Sequence, residues 1–266
     1  MPGLSAASDQ AHRLDGQVAV ITGATSGIGR AIALELAAAG ADIVVHGRRR
    51  EKGEEVVSLV HALGRQAHLL LGDLTDAGFG DTLVEQAWAW RKGFDIWVNN
   101  AGADVLTGAA AQASFDQKLE QLWRLDVRAT IQLSRLVGSR MLHRDISGPA
   151  GVILNLGWDQ AEQGMAGDSG EMFSCIKGAV MAFTRSLAQS LAPRVRVNCL
   201  APGWIKTSWG QGASEYWQSR ASRESLRQRW GTPEDVARAA RFLATPAADF
   251  ITGQIIPVNG GFRYGT

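Results

Sequence analysis

Val18-Ala19-Val20-Ile21-Thr22-Gly23-Ala24-Thr25-Ser26-Gly27-Ile28-Gly29-Arg30 reads as a short apolar strand, a glycine turn and the start of a helix. Val18 to Ile21 is an unbroken apolar run, as a strand buried on both faces requires. Gly23, Gly27 and Gly29 break the run, and Ala31 to Ala39 is built from strong helix formers stopped by Gly40. A strand that feeds a helix N-terminus through glycines is a natural phosphate site. Exposed backbone N–H groups and the helix dipole attract an anion, and glycine lets it come close. The plainer alternative is a glycine-rich turn that binds nothing.

The pattern repeats outward from this turn. Apolar runs at Ile43–Val45, His68–Leu71, Ile96–Val98, Gly151–Leu156, Val195–Leu200 and Gln254–Val258 read as strands. Helical periods separate them: one on Val56, Val57, Leu59, Val60 and Leu63, then Asp76 to Arg91, Phe115 to His143, Glu171 to Leu191 and Pro233 to Ala244. Pro233 suits a first helical position, and Asp168 with Glu171 suits a capping box. Strands alternating with helices predict one doubly wound α/β domain, a parallel sheet with helices on both faces. In such sheets ligands sit beyond the strand C-termini, where the strand order reverses. The marked clusters fall at those ends: Gly23–Gly29, Gly47–Arg50, Asp73, Asn99–Gly102, Gly157–Asp159 and Pro202–Gly203. The polar, irregular stretch 204–231 reads as a lid-like insertion over the same edge, and residues 1–13 as a loose polar tail before a domain over 14–266.

Composition excludes several functions. The 266 residues carry a net charge of +1, too balanced for a nucleic-acid or anionic-membrane footprint. No apolar run reaches the roughly 18 residues of a membrane span, and the first residues lack the apolar core of a signal peptide. Cys175 and Cys199 form no disulfide or metal pattern, which suits a reduced, cytoplasmic protein, and the five histidines show no metal spacing.

Four ordered motifs resemble the short-chain dehydrogenase/reductase family: the glycine loop Thr22 to Gly29, Asn99-Asn100-Ala101-Gly102, Pro202-Gly203-Trp204-Ile205-Lys206-Thr207, and the ending Gly231 to Gly261. The resemblance covers roughly residues 15 to 262 and implies a Rossmann-like fold and a nicotinamide dinucleotide. It places Gly23, Thr25, Ser26, Gly27, Ile28 and Gly29 at the phosphates, and Asp73 with Leu74 at the adenine. Asn100, Ala101, Gly102, Lys177, Pro202, Gly203, Ile205 and Thr207 fall on the ribose and nicotinamide side. Members that use NAD place an acid near Gly47; here Arg48, Arg49 and Arg50 follow instead. A guanidinium pairs with a 2′-phosphate that a carboxylate would repel. This points to NADP(H), with Arg48 first and Arg49 beside it. Alternatively the three arginines form the solvated first turn of the next helix.

The family's reductases commonly carry Asn, Ser, Tyr and Lys, with tyrosine and lysine four apart on the helix after the fifth strand. The tyrosine passes a proton to the substrate oxygen and the serine steadies that oxygen. Here that helix reads Phe173-Ser174-Cys175-Ile176-Lys177. Lys177 matches. Phe173 stands at the tyrosine position, Trp158 (or Asp159) at the serine position and Asp126 at the asparagine position. Tyr216 and Tyr264 lie elsewhere. Asp126 with Lys177 resembles the peroxisomal type of 2,4-dienoyl-CoA reductase, and an aspartate at 159 is similar to pteridine reductases of the family. Two functions follow. In one, an NADP(H)-dependent oxidoreductase reduces a hydrophobic or conjugated carbonyl or enoyl-type small molecule, its proton relayed by Asp126 or Asp159 with Lys177. In the other, an NADP(H)-binding protein has lost catalysis and serves as a scaffolding subunit. Trp158, Phe173, Trp204, Trp209 and Trp217 would wall the substrate pocket, or else pack a lid or interface. The family is usually tetrameric, which implies a homo-oligomer paired through the helices at Phe115–His143 and Glu171–Leu191.

Overall fold

The computed structural model describes residues 11–262. Seven strands form one sheet: β1 (Val18–Ile21), β2 (Asp42–Gly47), β3 (Ala67–Leu71), β4 (Ile96–Asn99), β5 (Gly151–Leu156), β6 (Val195–Pro202) and β7 (Ile255–Val258). All neighbours are parallel and the order is β3-β2-β1-β4-β5-β6-β7. The doubly wound sheet read from the sequence is therefore the observed one. The order reverses between β1 and β4, so the crevice at their C-terminal ends is the switch point.

Three helices, α1 (Gly27–Ala38), α2 (Arg50–Ala62) and the later Pro233–Ala244, cover one face. Ile32, Leu36, Val56, Val60, Val236 and Leu243 pack there against Ile21, Ile43 and Val98. The other face is covered by α3 (Phe79–Arg91), by Thr130–Leu142 and by Asp168–Leu191, through Leu83, Leu133, Val137, Met141 and Leu187 on Val20, Trp97 and Ile153. These are the sides on which right-handed crossovers deliver helices. A third cluster, Val105, Leu122, Val127, Met172, Ile176 and Val180, stands at the strand ends.

Several boundaries differ from the sequence reading. The first helix begins at Gly27 because its glycines take part in the turn and the first helical residues together. The third begins at Phe79, after a turn closed by Asp76 N–H to the Asp73 carbonyl and a left-handed Gly78. The long period Phe115–His143 is not one α-helix. It runs as α4 (Phe115–Leu122), a π-helical turn (Trp123–Ala129) and α5 (Thr130–Leu142), because one wide turn inserts around Asp126. In α6 (Asp168–Leu191) the expected capping box is absent: Gly167 is the N-cap and no side chain caps the end. The stretch 204–231 is not irregular. It holds α7 (Ser208–Gly212) and α8 (Glu215–Glu224), whose polar composition hides the helical period. Its base is closed by Gly231 N–H to the Trp204 carbonyl (2.8 Å) and Lys206 N–H to the Gly231 carbonyl (2.9 Å). The last helix, α9 (Pro233–Ala244), has Pro233 at its start and a capping box of Thr232 with Asp235. Residues 1–10 of the expected tail lie outside the described residues; the Ala11 carbonyl accepts from Ala247 N–H and the His12 carbonyl from Arg241. Among the described residues no helix is long and apolar enough to cross a membrane.

Candidate active site

The glycine turn is held from three sides. Thr22 Oγ1 donates to the Val98 carbonyl and accepts from the N–H groups of Asn100 (3.0 Å) and Ala101 (3.1 Å). The Asn100 side-chain amide donates to the Thr22 (2.9 Å) and Gly23 (3.1 Å) carbonyls. Gly23 has φ +64°, and a Cβ there would stand 2.9 Å from Ala101 Cα, so no other residue fits. Below the turn, His46 is 3% exposed, its Nδ1 lies 3.4 Å from Gly23 N and its Nε2 lies 3.2 Å from the Gly72 carbonyl. Burial lowers the His46 pKa to about 4, so the ring is neutral near pH 7.

At the N-terminus of α1, Ser26 is the N-cap but its side chain makes no capping bond, and no acidic residue occupies the first turn. The orphan N–H groups of that turn are left for an anion. A cavity of about 710 Å³ opens over them, lined by Gly23, Thr25, Ser26, Arg48, Arg49, Asp73, Leu74, Asn100, Ala101 and Gly102 among others. A cradle, a dipole and two guanidinium groups fit a phosphate-bearing dinucleotide. Arg48 is engaged, donating to Asp73 Oδ2 at 3.1 Å. Asp73 Oδ1 accepts from the backbone N–H (2.9 Å) and the hydroxyl (2.7 Å) of Thr75. Burial opposes them, but these bonds with that of Arg48 hold the Asp73 carboxyl below its usual range. Arg49 is exposed and makes no ion pair among the described residues.

A second cavity, of about 620 Å³, shares Asn100 and Gly102 with the first and continues over the ends of β5 and β6. Ile28, Asp126, Lys177, Pro202, Gly203, Ile205 and Thr207 line it, with Trp158, Phe173, Trp204 and Trp217 as aromatic walls. Gly27 and Gly29 line neither cavity; Gly27 begins α1, and a Cβ on Gly29 would overlap the Gly23 carbonyl. The π-helical turn aims Asp126 inward. Its side chain is 3% exposed, Oδ1 accepts from Ala103 N–H (2.8 Å) and Oδ2 accepts from Lys177 Nζ (2.8 Å). Lys177 also donates to the Leu156 carbonyl at 3.3 Å. A lysine ammonium has three N–H donors, so one remains for the cavity. Trp158 and Phe173 pack edge to face, with centroids 6.2 Å apart.

Two of the sequence candidates are not brought to this pair. Asp159 does not line the cavity: its Oδ2 accepts from Asn259 Nδ2 at 3.0 Å, and its buried Oδ1 has no partner. Burial pushes its pKa up to about 6, against the lowering hydrogen bond of Asn259. Trp209 lies on α7, but its side chain falls outside the described residues. Tyr216 is 59% exposed and lies against Trp217, away from Lys177.

Three features were not read from the sequence. His46 carries no signal beyond closing an apolar run. A cluster within 204–231 is the second: Arg220 donates to Glu224 Oε1 (2.6 Å), Trp204 Nε1 donates to Glu224 Oε2 (2.8 Å), and the guanidinium stands over the Trp204 and Trp217 rings. Its four-residue spacing was the available clue. Last, Asn99 Nδ2 donates to Ser134 and to Asn155 Oδ1, both at 2.8 Å, and Asn155 donates to Thr184 at 2.9 Å. This buried network pins β4 and β5 to α5 and α6, and asparagine inside an apolar strand signals it.

An open parallel sheet with an uncapped helix N-terminus at its switch point defines a Rossmann-like, doubly wound α/β protein. Residues 23–263 match the family model described as enoyl-(acyl carrier protein) reductase. The chain belongs to the short-chain dehydrogenase/reductase family. It is 33% identical over 252 residues to a 3-oxoacyl-(acyl-carrier-protein) reductase of Aquifex aeolicus, covering 94% of this chain and 98% of that one. It is also 33% identical over 258 residues to a 2-dehydro-3-deoxy-D-gluconate 5-dehydrogenase of Dickeya dadantii, with 94% and 96% covered. Among solved structures, 7α-hydroxysteroid dehydrogenase with NADH and 7-oxo glycochenodeoxycholic acid superposes with TM-score 0.86 at 32% identity, covering 97% and 98%. A 3-oxoacyl (acyl-carrier-protein) reductase of Agrobacterium tumefaciens C58 with NADP bound also gives 0.86, at 29% identity over 98% and 100%.

Proposed function

We propose that this protein is an NADP(H)-dependent reductase of a hydrophobic or conjugated carbonyl or enoyl-type small molecule, with Asp126 and Lys177 as its proton relay. The observation that carries this reading is the 2.8 Å Lys177–Asp126 pair lining an aromatic cavity that shares Asn100 and Gly102 with the cavity over the glycine turn. The cofactor, when bound, supplies the hydride. The cradle at Gly23–Gly29 holds its phosphates, and Arg49 with Arg48 meets the 2′-phosphate. NADP in a solved relative supports that choice, although another relative carries NADH.

Phe173 has no proton to give, so the proton must travel otherwise. Hydride addition to a conjugated C=C places negative charge on the acceptor as an enolate. The third Lys177 N–H points charge and a donor at that oxygen or at a water beside it. Asp126 fixes Nζ in place and balances its charge, and the proton that Lys177 or its water delivers to carbon is replaced from solvent. Trp158 and Phe173 exclude bulk water from the reacting carbon. The assembly we propose is a homotetramer, as the family resemblance implies; exposed Trp123 and Phe250 are apolar surface that assembly would cover.

Mixing the protein with NADPH and a panel of enoyl, dienoyl, ketone and pterin acceptors under single-turnover conditions tests the reading. Oxidation of NADPH with an enoyl or dienoyl acceptor is the expected result. No turnover with any acceptor, while NADPH still binds, would leave a binding protein and end the proposal.

A further inference from the structure

Ser169, Phe173 and Lys177 occupy four-residue steps on α6, and all three line the 620 Å³ cavity. Four residues advance a helix by about 6 Å, so Ser169 lies about 12 Å along the axis from Lys177, on the same face. Only two hydroxyls line this cavity among the described residues. Thr207 is the other, and its methyl group sits 3.6 Å from where a Gly27 Cβ would be, on the phosphate side. The Ser169 side chain is half-buried and makes no hydrogen bond among the described residues. Phe173 stands between Ser169 and Lys177 on the helix, and four aromatic rings are among the lining residues. Trp158 and Phe173 form one pair and Trp204 with Trp217 the other, at 6.2 and 5.4 Å between centroids. Arg220 and Glu224 fix the second pair from behind.

A cavity with a reacting group at one end, rings along its length and one unengaged hydroxyl at the other selects for shape and for one distant polar atom. We propose that Ser169 is a specificity-determining residue. It hydrogen-bonds a hydroxyl or carbonyl at the far end of an elongated, flat, apolar acceptor whose reacting carbon lies beside Lys177. This rests on the reading of the cavity as the acceptor site. The pairing discriminates because a polar group buried among rings without a partner loses its water and gains nothing.

The test uses two tetracyclic enones that differ only by a ring hydroxyl about 10–12 Å from the enone carbonyl, titrated into the full chain saturated with NADP+. The native protein is expected to bind the hydroxylated compound about three- to tenfold more tightly. Ser169→Ala should bring the two affinities within twofold, Ser169→Thr should keep most of the difference, and NADP+ affinity should not change. No preference in the native protein, a preference that survives Ser169→Ala, or binding of neither compound overturns the proposal. NADPH oxidation is followed in parallel. A Ser169-dependent preference without hydride transfer sinks the proposed reaction and keeps this assignment; hydride transfer without the preference does the reverse.

Discussion

Replacing Asp126 perturbs stability and proton transfer separately, and the two can be read apart. The Asp126 side chain is 3% exposed and Lys177 is 15% exposed. Deleting one partner of a buried ion pair costs about 3–5 kcal/mol, because the remaining charge is left uncompensated. Asp126→Ala also orphans the Ala103 N–H, so it belongs in the upper half of that range. Asp126→Asn keeps the shape and an oxygen for Ala103, and loses only the negative charge. Its expected cost is about 1–2 kcal/mol, that of weakening one charge-assisted hydrogen bond to a neutral one. The chemical step should respond more strongly. If the carboxylate holds the relay, single-turnover hydride transfer in Asp126→Asn falls about 10²-fold or more, within the usual range for lost acid–base catalysis. NADPH affinity should shift less than about threefold, because the cradle does not include residue 126. Denaturant unfolding, equilibrium NADPH binding and rapid-mixing single turnovers measure the three quantities. Turnover in Asp126→Asn equal to that of the native protein, with saturating NADPH and the same acceptor, removes Asp126 from the relay.

Arg49→Ala should weaken NADPH binding about tenfold, the worth of one or two charge-assisted bonds, and leave NADH unchanged; Arg48→Ala should do less, because Asp73 holds that guanidinium. Equal losses for both cofactors in a titration would refute the 2′-phosphate assignment. The pH dependence of unfolding carries two opposed contributions. The unfolded chain protonates His46 near 6.5 and the folded chain only near 4, so stability falls as pH drops through that window, by about 3 kcal/mol in all. Asp159 is the reverse: the folded chain keeps its proton up to about 6, so its contribution of about 3 kcal/mol is present below the unfolded value and lost as pH rises to 6. His46→Gln should therefore lie closer to the native stability at pH 4.5 than at pH 7, and Asp159→Asn, neutral at both, should lie near the native stability at pH 4.5 and above it at pH 7; parallel profiles for native and variants would contradict both shifts. Glu224→Gln should raise KM for a bulky acceptor several-fold with little change in kcat, because it loosens Trp204 without touching Lys177; a loss confined to kcat would count against that role.

The strands, the sheet and the glycine turn at its switch point were legible because they rest on periods and on glycines, which act locally. Val18–Ile21 and the turn after it need no distant contact to be recognised, and neither does Pro233 at a helix start. The π-helical turn around Asp126 was not legible, since its neighbours keep a helical apolar period on both sides. Nor was the absence of a cap at α6, because Asp168 and Glu171 have the right spacing and the backbone at Gly167 decides otherwise. Many of the positions singled out in the sequence line the two cavities, but which of them become partners was not legible. Trp158 and Asp159 are sequence neighbours, yet one lines the cavity and the other turns to Asn259. Direction at a strand end is set by the packing of β6 and the C-terminal loop, which sequence spacing does not report.

Asp126, Trp158 and Phe173 read as one arrangement around Lys177. A lysine ammonium beside hydroxyl groups is solvated by them. In this cavity Lys177 shares the lining with Trp158 and Phe173, and an unpaired charge facing rings costs several kcal/mol. A carboxylate at 126, 2.8 Å away, supplies the counter-charge that rings cannot. Asp126 and Phe173 should then be energetically coupled through Lys177, one helical turn beyond Phe173 on the same face. The cost of Asp126→Asn in unfolding free energy should be smaller when Phe173→Tyr is also present, with a coupling of about 1 kcal/mol or more in a double-mutant cycle. The paired variant should also gain ketone reduction that neither single change confers, since the phenol returns as a proton donor beside a lysine released from its carboxylate. Additivity within about 0.5 kcal/mol, with no gain toward ketones, would mean that the aspartate and the phenylalanine arose for separate reasons.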